Sequence, residues 1–287
     1  MNASIPKPSA FVKAHALSII VVLFLALSKS MTFAVPRDWN HGCTKSYDEN
    51  GNMVWDIPET AKEGDLLVLF MSRTDDRLPL ELDGWKYAAS CFKTNNTQNQ
   101  CFTKSDCKKR KDGYCKWFPK GNGRDLATII FFKTLEKEGS LLPKHIKYDI
   151  VGGTHPGWGF LLAVNGVDSS DPIRGSGGIS NDKNAASVFP SVRGMKGDLL
   201  LLSMAFDDAT NELDFLQPDG TGFVNFVKGK DEAGYLYSKR LLSSGPTGKL
   251  VTRGKGGPAS KDALISLVLK GRKTGKKKQK KKNNLRA

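Results

Sequence analysis

The chain has 287 residues, with 44 Lys and Arg against 29 Asp and Glu, for a formal net charge of +15. That length allows one large or two modest domains with a sizeable core. The charge does not describe a uniformly basic protein: residues 270–287 hold ten Lys or Arg and no acid, the first 34 residues hold three more, and the body between carries 31 basic against 29 acidic residues. Diffuse non-specific polyanion binding by the whole surface is therefore excluded, and charge-driven contacts are confined to local patches.

In chain order, residues 1–34 read as a secretory signal peptide. Lys7 and Lys13 precede the apolar run from Ala16 to Leu27, and Thr32-Phe33-Ala34 offers a small residue for cleavage, so the mature chain begins near Val35. A signal anchor is the rival, but a bilayer needs roughly 20 apolar residues and Ser28-Lys29-Ser30 ends this run early. The expected location is extracellular, secreted or at the cell surface, with no membrane span after cleavage.

Beyond the signal the sequence states one pattern twice. Gly64-Asp65-Leu66-Leu67-Val68-Leu69-Phe70-Met71, with Asp75-Asp76 beyond, returns as Gly197-Asp198-Leu199-Leu200-Leu201-Leu202-Ser203-Met204, with Asp207-Asp208 beyond. Asp83-Gly84 returns as Asp219-Gly220, Lys133-Thr134-Leu135 as Lys239-Arg240-Leu241, and Gly152-Gly153 as Gly256-Gly257. A Gly-Asp turn before a short continuous apolar run predicts a strand buried on both faces. Residues 54–57, 85–87, 127–132, 146–150 and 159–164 predict further strands in the first copy; 187–189, 223–227, 235–237, 249–252 and 263–269 do so in the second. No stretch has sustained helical periodicity.

About six strands per copy without helices imply an all-β fold, an antiparallel sandwich or barrel. The second copy is small for a core of its own, so the expectation is one pseudo-two-fold sandwich closed by two copies packed face to face. Repeat one spans 53–167, a polar crossover 168–186, and repeat two 187–271, giving a scaffold over 35–271. In the tandem-domain alternative the crossover is a linker. The tail 272–287, with Lys276-Lys277-Lys278-Gln279-Lys280-Lys281-Lys282, has too little apolar surface to fold alone and is expected to be disordered.

The first copy is longer because of an insertion from Cys91 to about Asp125. Its stretch 104–124 holds eight basic residues against Asp106 and Asp112. All five cysteines, Cys43, Cys91, Cys101, Cys107 and Cys115, lie in the first half. Behind a signal peptide they are expected to pair locally within 91–115, leaving Cys43 over; the alternative brings Cys43 into the cluster. Zinc is the other use of clustered cysteines, but no Cys-x-x-Cys occurs and His41-x-Cys43 is a fragment. Asn95-Asn96-Thr97 is a glycosylation sequon, which calls for an exposed loop at Asn95.

Tyr114, Trp117 and Phe118 lie among Lys108, Lys109, Arg110, Lys111, Lys116 and Lys120. Rings can stack on sugars while the cations hold acidic groups; the plainer reading is that Trp117 and Phe118 pin the insertion to the scaffold. Asp75-Asp76 and Asp207-Asp208 would occupy equivalent loops and could hold calcium, although no calcium-loop spacing is present and turn formation explains the pairs more simply. Asp168, Asp171 and Asp182 in the crossover are read the same way. His41, His145 and His155 fall in no catalytic motif, and the Gly-rich stretches at 175–178 and 254–257 lack the strand-to-helix setting of a phosphate loop.

The Gly-Asp-Leu-Leu runs, Gly84-Trp85 and the strand series that follows resemble the β-sandwich modules of secreted surface and phage tail-appendage proteins, over residues 53–271. The resemblance implies binding or building of surfaces and brings no catalytic residues; the basic insertion and lysine tail depart from it. The expected function is that of a secreted, non-catalytic binding or structural protein. It would contact acidic polysaccharide, cell wall or extracellular matrix through the insertion, with the tail adding attraction. A carbohydrate-active hydrolase on the same sandwich is the second reading, since two suitably separated carboxylates need no motif. A nuclear nucleic-acid binder is the third, and the signal peptide argues against it.

Overall fold

The computed structural model describes residues 40–49, 52–74, 82–92, 100–103, 126–137, 141–148, 156–181, 187–207, 215–229, 232–254 and 261–272. Among them every element is a strand and no helix occurs. The first half contains β1 (Asn40–Asp48), β2 (Met53–Asp56), β3 (Leu66–Arg73), β4 (Lys86–Phe92), β5 (Gln100–Thr103), β6 (Ala127–Thr134), β7 (His145–Tyr148) and β8 (Gly157–Val164). The second contains β9 (Ile173–Asn181), β10 (Ser187–Phe189), β11 (Arg193–Gly194), β12 (Leu199–Asp207), β13 (Phe215–Leu216), β14 (Gly222–Lys228), β15 (Ala233–Arg240), β16 (Gly245–Pro246), β17 (Leu250–Gly254) and β18 (Lys261–Leu269).

Two large antiparallel sheets dominate, ordered β1-β8-β3-β6-β4-β5 and β9-β18-β12-β15-β14. Small ladders, β2-β7 in the first half and β10-β17-β13 with β11-β16 in the second, complete the pairing. Both leucine runs are central strands. Along β3 every residue is buried, which is how a continuous apolar run behaves when both sheet faces are covered. Alternate residues serve different layers: Val68, Phe70, Leu201 and Ala205 meet in one cluster between the sheets. Leu67 and Leu69 face the opposite way, with Met53 and Trp55 of β2. Leu200 and Leu202 do likewise with Phe189 and Leu250.

Besides the two-residue β11, β13 and β16, three strands were not legible as such. β1 carries the polar sequence NHGCTKSYD, and β5 lies inside the stretch read as an insertion. The third, β9, occupies the stretch read as a polar crossover and pairs with β18 along its length. Its glycines are there for proximity: a Cβ on Gly175 would sit 3.2 Å from the Arg193 carbonyl oxygen, and one on Gly177 would sit 3.1 Å from the Val192 side chain. Glycine inside a strand commonly marks such close approach.

The two Gly-Asp turns are built alike. Gly64 has φ +86° and Gly197 φ +91°, a region open to glycine at no steric cost. The carboxylate of Asp65 accepts the Lys62 amide at 2.8 Å, as that of Asp198 accepts the Met195 amide at 2.8 Å. Gly64 and Leu135 exchange backbone bonds with the start of β3, and Gly197 and Leu241 do the same at the start of β12. A bulge falls between Tyr87 and Ala89 in β4 and between Phe223 and Asn225 in β14.

Candidate functional site: a lysine-rich cleft at one end of the first sheet

The first Gly-Asp turn ties the beginning of β3 to the end of β6 through Gly64 N–H to Leu135 C=O at 2.9 Å and Leu135 N–H to Asp65 C=O at 2.8 Å. The Asp83-Gly84 turn, closed by Trp85 N–H to Leu82 C=O at 2.9 Å, delivers β4 to the same end. Register sets Lys86 opposite Phe132 and Leu67 opposite Lys133. Trp85, Lys86, Lys133 and Lys137 therefore gather from separate segments. The three lysines line a cleft of about 320 Å³ together with Glu136, Pro143 and Ser169.

The Lys133 ammonium lies 5.0 Å from the centre of the half-buried Trp85 ring, a cation-π contact that steadies the lysine without neutralising it. The Lys137 ammonium pairs with Glu63 at 2.9 Å. Three ammonium groups around a polar cleft suit a carboxylate, sulfate or phosphate group. Each exposed pair contributes about 1 kcal/mol or less and is screened by salt, so useful affinity requires several contacts on one polyanion.

Two other basic segments leave the described chain toward this end. β5 runs antiparallel to β4 from Gln100, opposite Phe92, to Thr103, opposite Ala89, so the chain enters 104–125 heading toward the Lys86 end. It returns at Ala127, opposite Phe92. At the other terminus Arg272 N–H donates to the Gly166 carbonyl at 2.7 Å and Asp168 N–H to the Lys270 carbonyl at 3.0 Å. The chain thus leaves toward the lysine tail from the segment that supplies Ser169 to the cleft.

The sequence-derived candidates Lys108, Lys109, Arg110, Lys111, Tyr114, Lys116, Trp117 and Lys120 lie outside the described residues, as do Asn95, Cys107 and Cys115. Cys91 and Cys101 fall on β4 and β5 as direct cross-strand partners. Cys43 is a free thiol on β1, packed against the core between the sheets. It accepts a hydrogen bond from Asn225 Nδ2 at 3.7 Å, and burial pushes its pKa up to about 12.

Of the acidic candidates that are described, Asp207 is the last residue of β12, opposite Lys261, and Asp168 serves a turn. Asp168 accepts the Ser170 hydroxyl at 2.6 Å and the Ser170 amide at 3.2 Å, and the hydroxyl bond holds its carboxyl below the usual range. Asp171 pairs with Lys270. Asp75, Asp76, Asp182 and Asp208 are outside the described residues. Among the described residues no group of three or more His, Cys, Asp or Glu is arranged to hold a metal. His145 is exposed on β7 opposite Asp56, and His155 is outside the described residues.

Comparison with family models, curated proteins and solved structures gives no match for this chain. The cleft was missed at the sequence level because its lysines are scattered. The available signal was Lys86 beside the Gly84-Trp85 turn and Lys133 two residues before the Leu135 that pairs with the Gly-Asp turn.

Proposed function

We propose that this is a secreted, non-catalytic binding or structural protein that holds acidic glycans of a cell wall or extracellular matrix. The observation that carries the reading is convergence: the cleft of Lys86, Lys133 and Lys137, the end of β5 that leads into 104–125 and the exit toward the lysine tail lie toward one end of the first sheet. A polyanion crossing that end would meet all three, which multiplies contacts that are individually weak. Tyr114 and Trp117 would add ring faces for sugars among Lys108, Lys109, Arg110, Lys111, Lys116 and Lys120.

The scaffold is, in this reading, an internal duplication with pseudo-two-fold symmetry. Its support is the common strand order of the two large sheets, in which chain-order strands one, five, two, four and three lie side by side in each, with β5 added to the first. The twin turns and the matching bulges add to it. The repeating units then run from β1 to β8 and from β9 to β18, each one strand longer at its start than the sequence suggested. The remaining expectations, cleavage near Val35, N-glycosylation at Asn95 and a cysteine-stapled insertion, belong to the same picture of export.

The test is a glycan array on the mature protein at two salt concentrations, with two variants on a polyanion column. Replacing Lys86, Lys133 and Lys137 by Ala together is expected to weaken binding about tenfold, from three pairs of about 0.5 kcal/mol each. Neutralising Lys108, Lys109, Arg110 and Lys111 should lower the eluting salt at least as much. Binding that ignores salt, or elution unchanged in both variants, overturns the proposal.

A further inference from the structure

We infer that Cys91 and Cys101 form a disulfide that staples β4 to β5. The argument is one of register. Cys91 and Cys101 are direct partners across this antiparallel ladder, between Ser90↔Phe102 and Phe92↔Gln100. Directly opposed residues in such a ladder have Cα atoms about 4.5 or 5.5 Å apart, and both spacings lie within the roughly 4.4–6.8 Å that a disulfide spans. A one-residue slip would put the two cysteines on opposite faces. In the observed register they share one face of the ladder.

The same topology keeps Cys43 away from this pair. Cys43 is on β1, and β8, β3 and β6 lie between β1 and β4. Four strand spacings of about 4.8 Å put Cys43 about 19 Å from β4, beyond the reach of any disulfide with Cys91 or Cys101. With Cys91 and Cys101 joined, the local pairing expected from the sequence leaves Cys107 to Cys115 and Cys43 over.

The step is an oxidation by a disulfide such as glutathione disulfide. Each thiol gives up one proton, the S–S bond between Cys91 and Cys101 forms, and the oxidant's S–S bond breaks to two glutathione thiols. The inference rests on the export reading only for meeting such an oxidant in the cell; the pairing itself is independent of any ligand.

The sequence makes the test direct. Lys45, Lys93, Lys104, Lys108 and Lys116 each follow a different cysteine, so trypsin puts all five on separate peptides. The full chain is refolded with glutathione disulfide, alkylated in denaturant without reductant, treated to remove any N-glycan and digested. The expected result is one alkylated cysteine, Cys43, and a linked pair made of peptides 87–93 and 94–104 that separates on reduction. Cys91 joined to Cys107 or Cys115, Cys43 within a bridge, or alkylation of Cys91 and Cys101 overturns the inference. The same digest on protein secreted from cells tests export separately: linked peptides in the refolded chain but thiols in the cellular product would count against export and leave the pairing standing.

Discussion

The two Gly-Asp turns carry the same backbone and different chemistry. At the first, the turn and its partner strands present Lys86, Lys133 and Lys137 around a cleft, with Trp85 against Lys133 and Glu63 against Lys137. At the second, the corresponding positions are Lys196, Thr221, Gly222, Lys239 and Ser243, and Lys239 turns its ammonium toward the Asp219 carbonyl at 3.5 Å. The β14-to-β15 connection closes within four residues through Gly229 N–H to Glu232 C=O at 2.8 Å. Its counterpart in the first sheet is enlarged by β5 and residues 104–125. The difference teaches where freedom lies: backbone bonds that start the central strands repeat in both halves, while side chains around them and the hairpin beyond are free to diverge.

The outer layers differ in the same spirit, and that contrast gives the largest expected effect. Over the first sheet Trp55 packs against Gly159, where an added Cβ would lie 2.0 Å from the Phe70 carbonyl oxygen and 3.1 Å from the indole. In the second sheet the register-equivalent position is Leu264, inside the outer cluster with Phe189. Gly159→Val is expected to cost more than about 4 kcal/mol, because backbone cannot retreat from it. Leu264→Ala should cost about 3 kcal/mol through a cavity. Urea midpoints of the two variants read the order directly, and a Gly159→Val protein as stable as the parent would break the assignment of that glycine to close packing.

A smaller effect separates the turn aspartates. Asp198 accepts the Met195 amide at 2.8 Å and the Gly271 amide at 3.1 Å and also pairs with Arg174, so it locks the turn to both β9 and the end of β18. Asp65 caps its own turn through the Lys62 amide. Asp198→Ala is expected to lose about 2.5 kcal/mol, since leaving buried donors without an acceptor is the costly part. Arg174 remains partly exposed and can rehydrate, which keeps the figure moderate. A urea midpoint unchanged in Asp198→Ala would mean that the Gly271 and Arg174 partners carry no stability.

What could be read from the sequence follows the same division. Leu66 to Met71 and Leu199 to Met204 were legible because strands covered on both faces must be continuously apolar. β1 and β9 were not, because an edge strand needs no such run and the glycines of β9 are dictated by neighbours more than ten residues away in sequence. The cleft was invisible for a related reason. Lys86, Lys133, Lys137 and Ser169 become neighbours only once β4, β6 and the segment after β8 are in register, and no local pattern encodes that meeting.

The smallest effect concerns Cys43, which sits on β1 where the two sheets meet. Its thiol has an ordinary pKa of 9.0 and is held at about 12 chiefly by burial, against a weaker opposing pull from the Asn225 hydrogen bond and the nearby Lys45 charge. Above pH 9 the unfolded chain releases this proton while the folded chain keeps it, so the unfolded state binds fewer protons and stability falls as pH rises toward 12. Below pH 9 both states hold the proton and the dependence vanishes. By pH 10 the loss attributable to Cys43 is about 1 kcal/mol. Tyr237, whose hydroxyl is also raised by burial, adds to the slope at still higher pH, so the informative quantity is the difference between the parent and Cys43→Ala. Urea unfolding at pH 8 and pH 10 is expected to show a shallower decline in the variant, together with slow alkylation of Cys43 in the folded parent. Identical slopes, or rapid alkylation of the native thiol, would mean that the seam between β1 and β14 opens to solvent and that the two sheets are less firmly closed there than along β3 and β12.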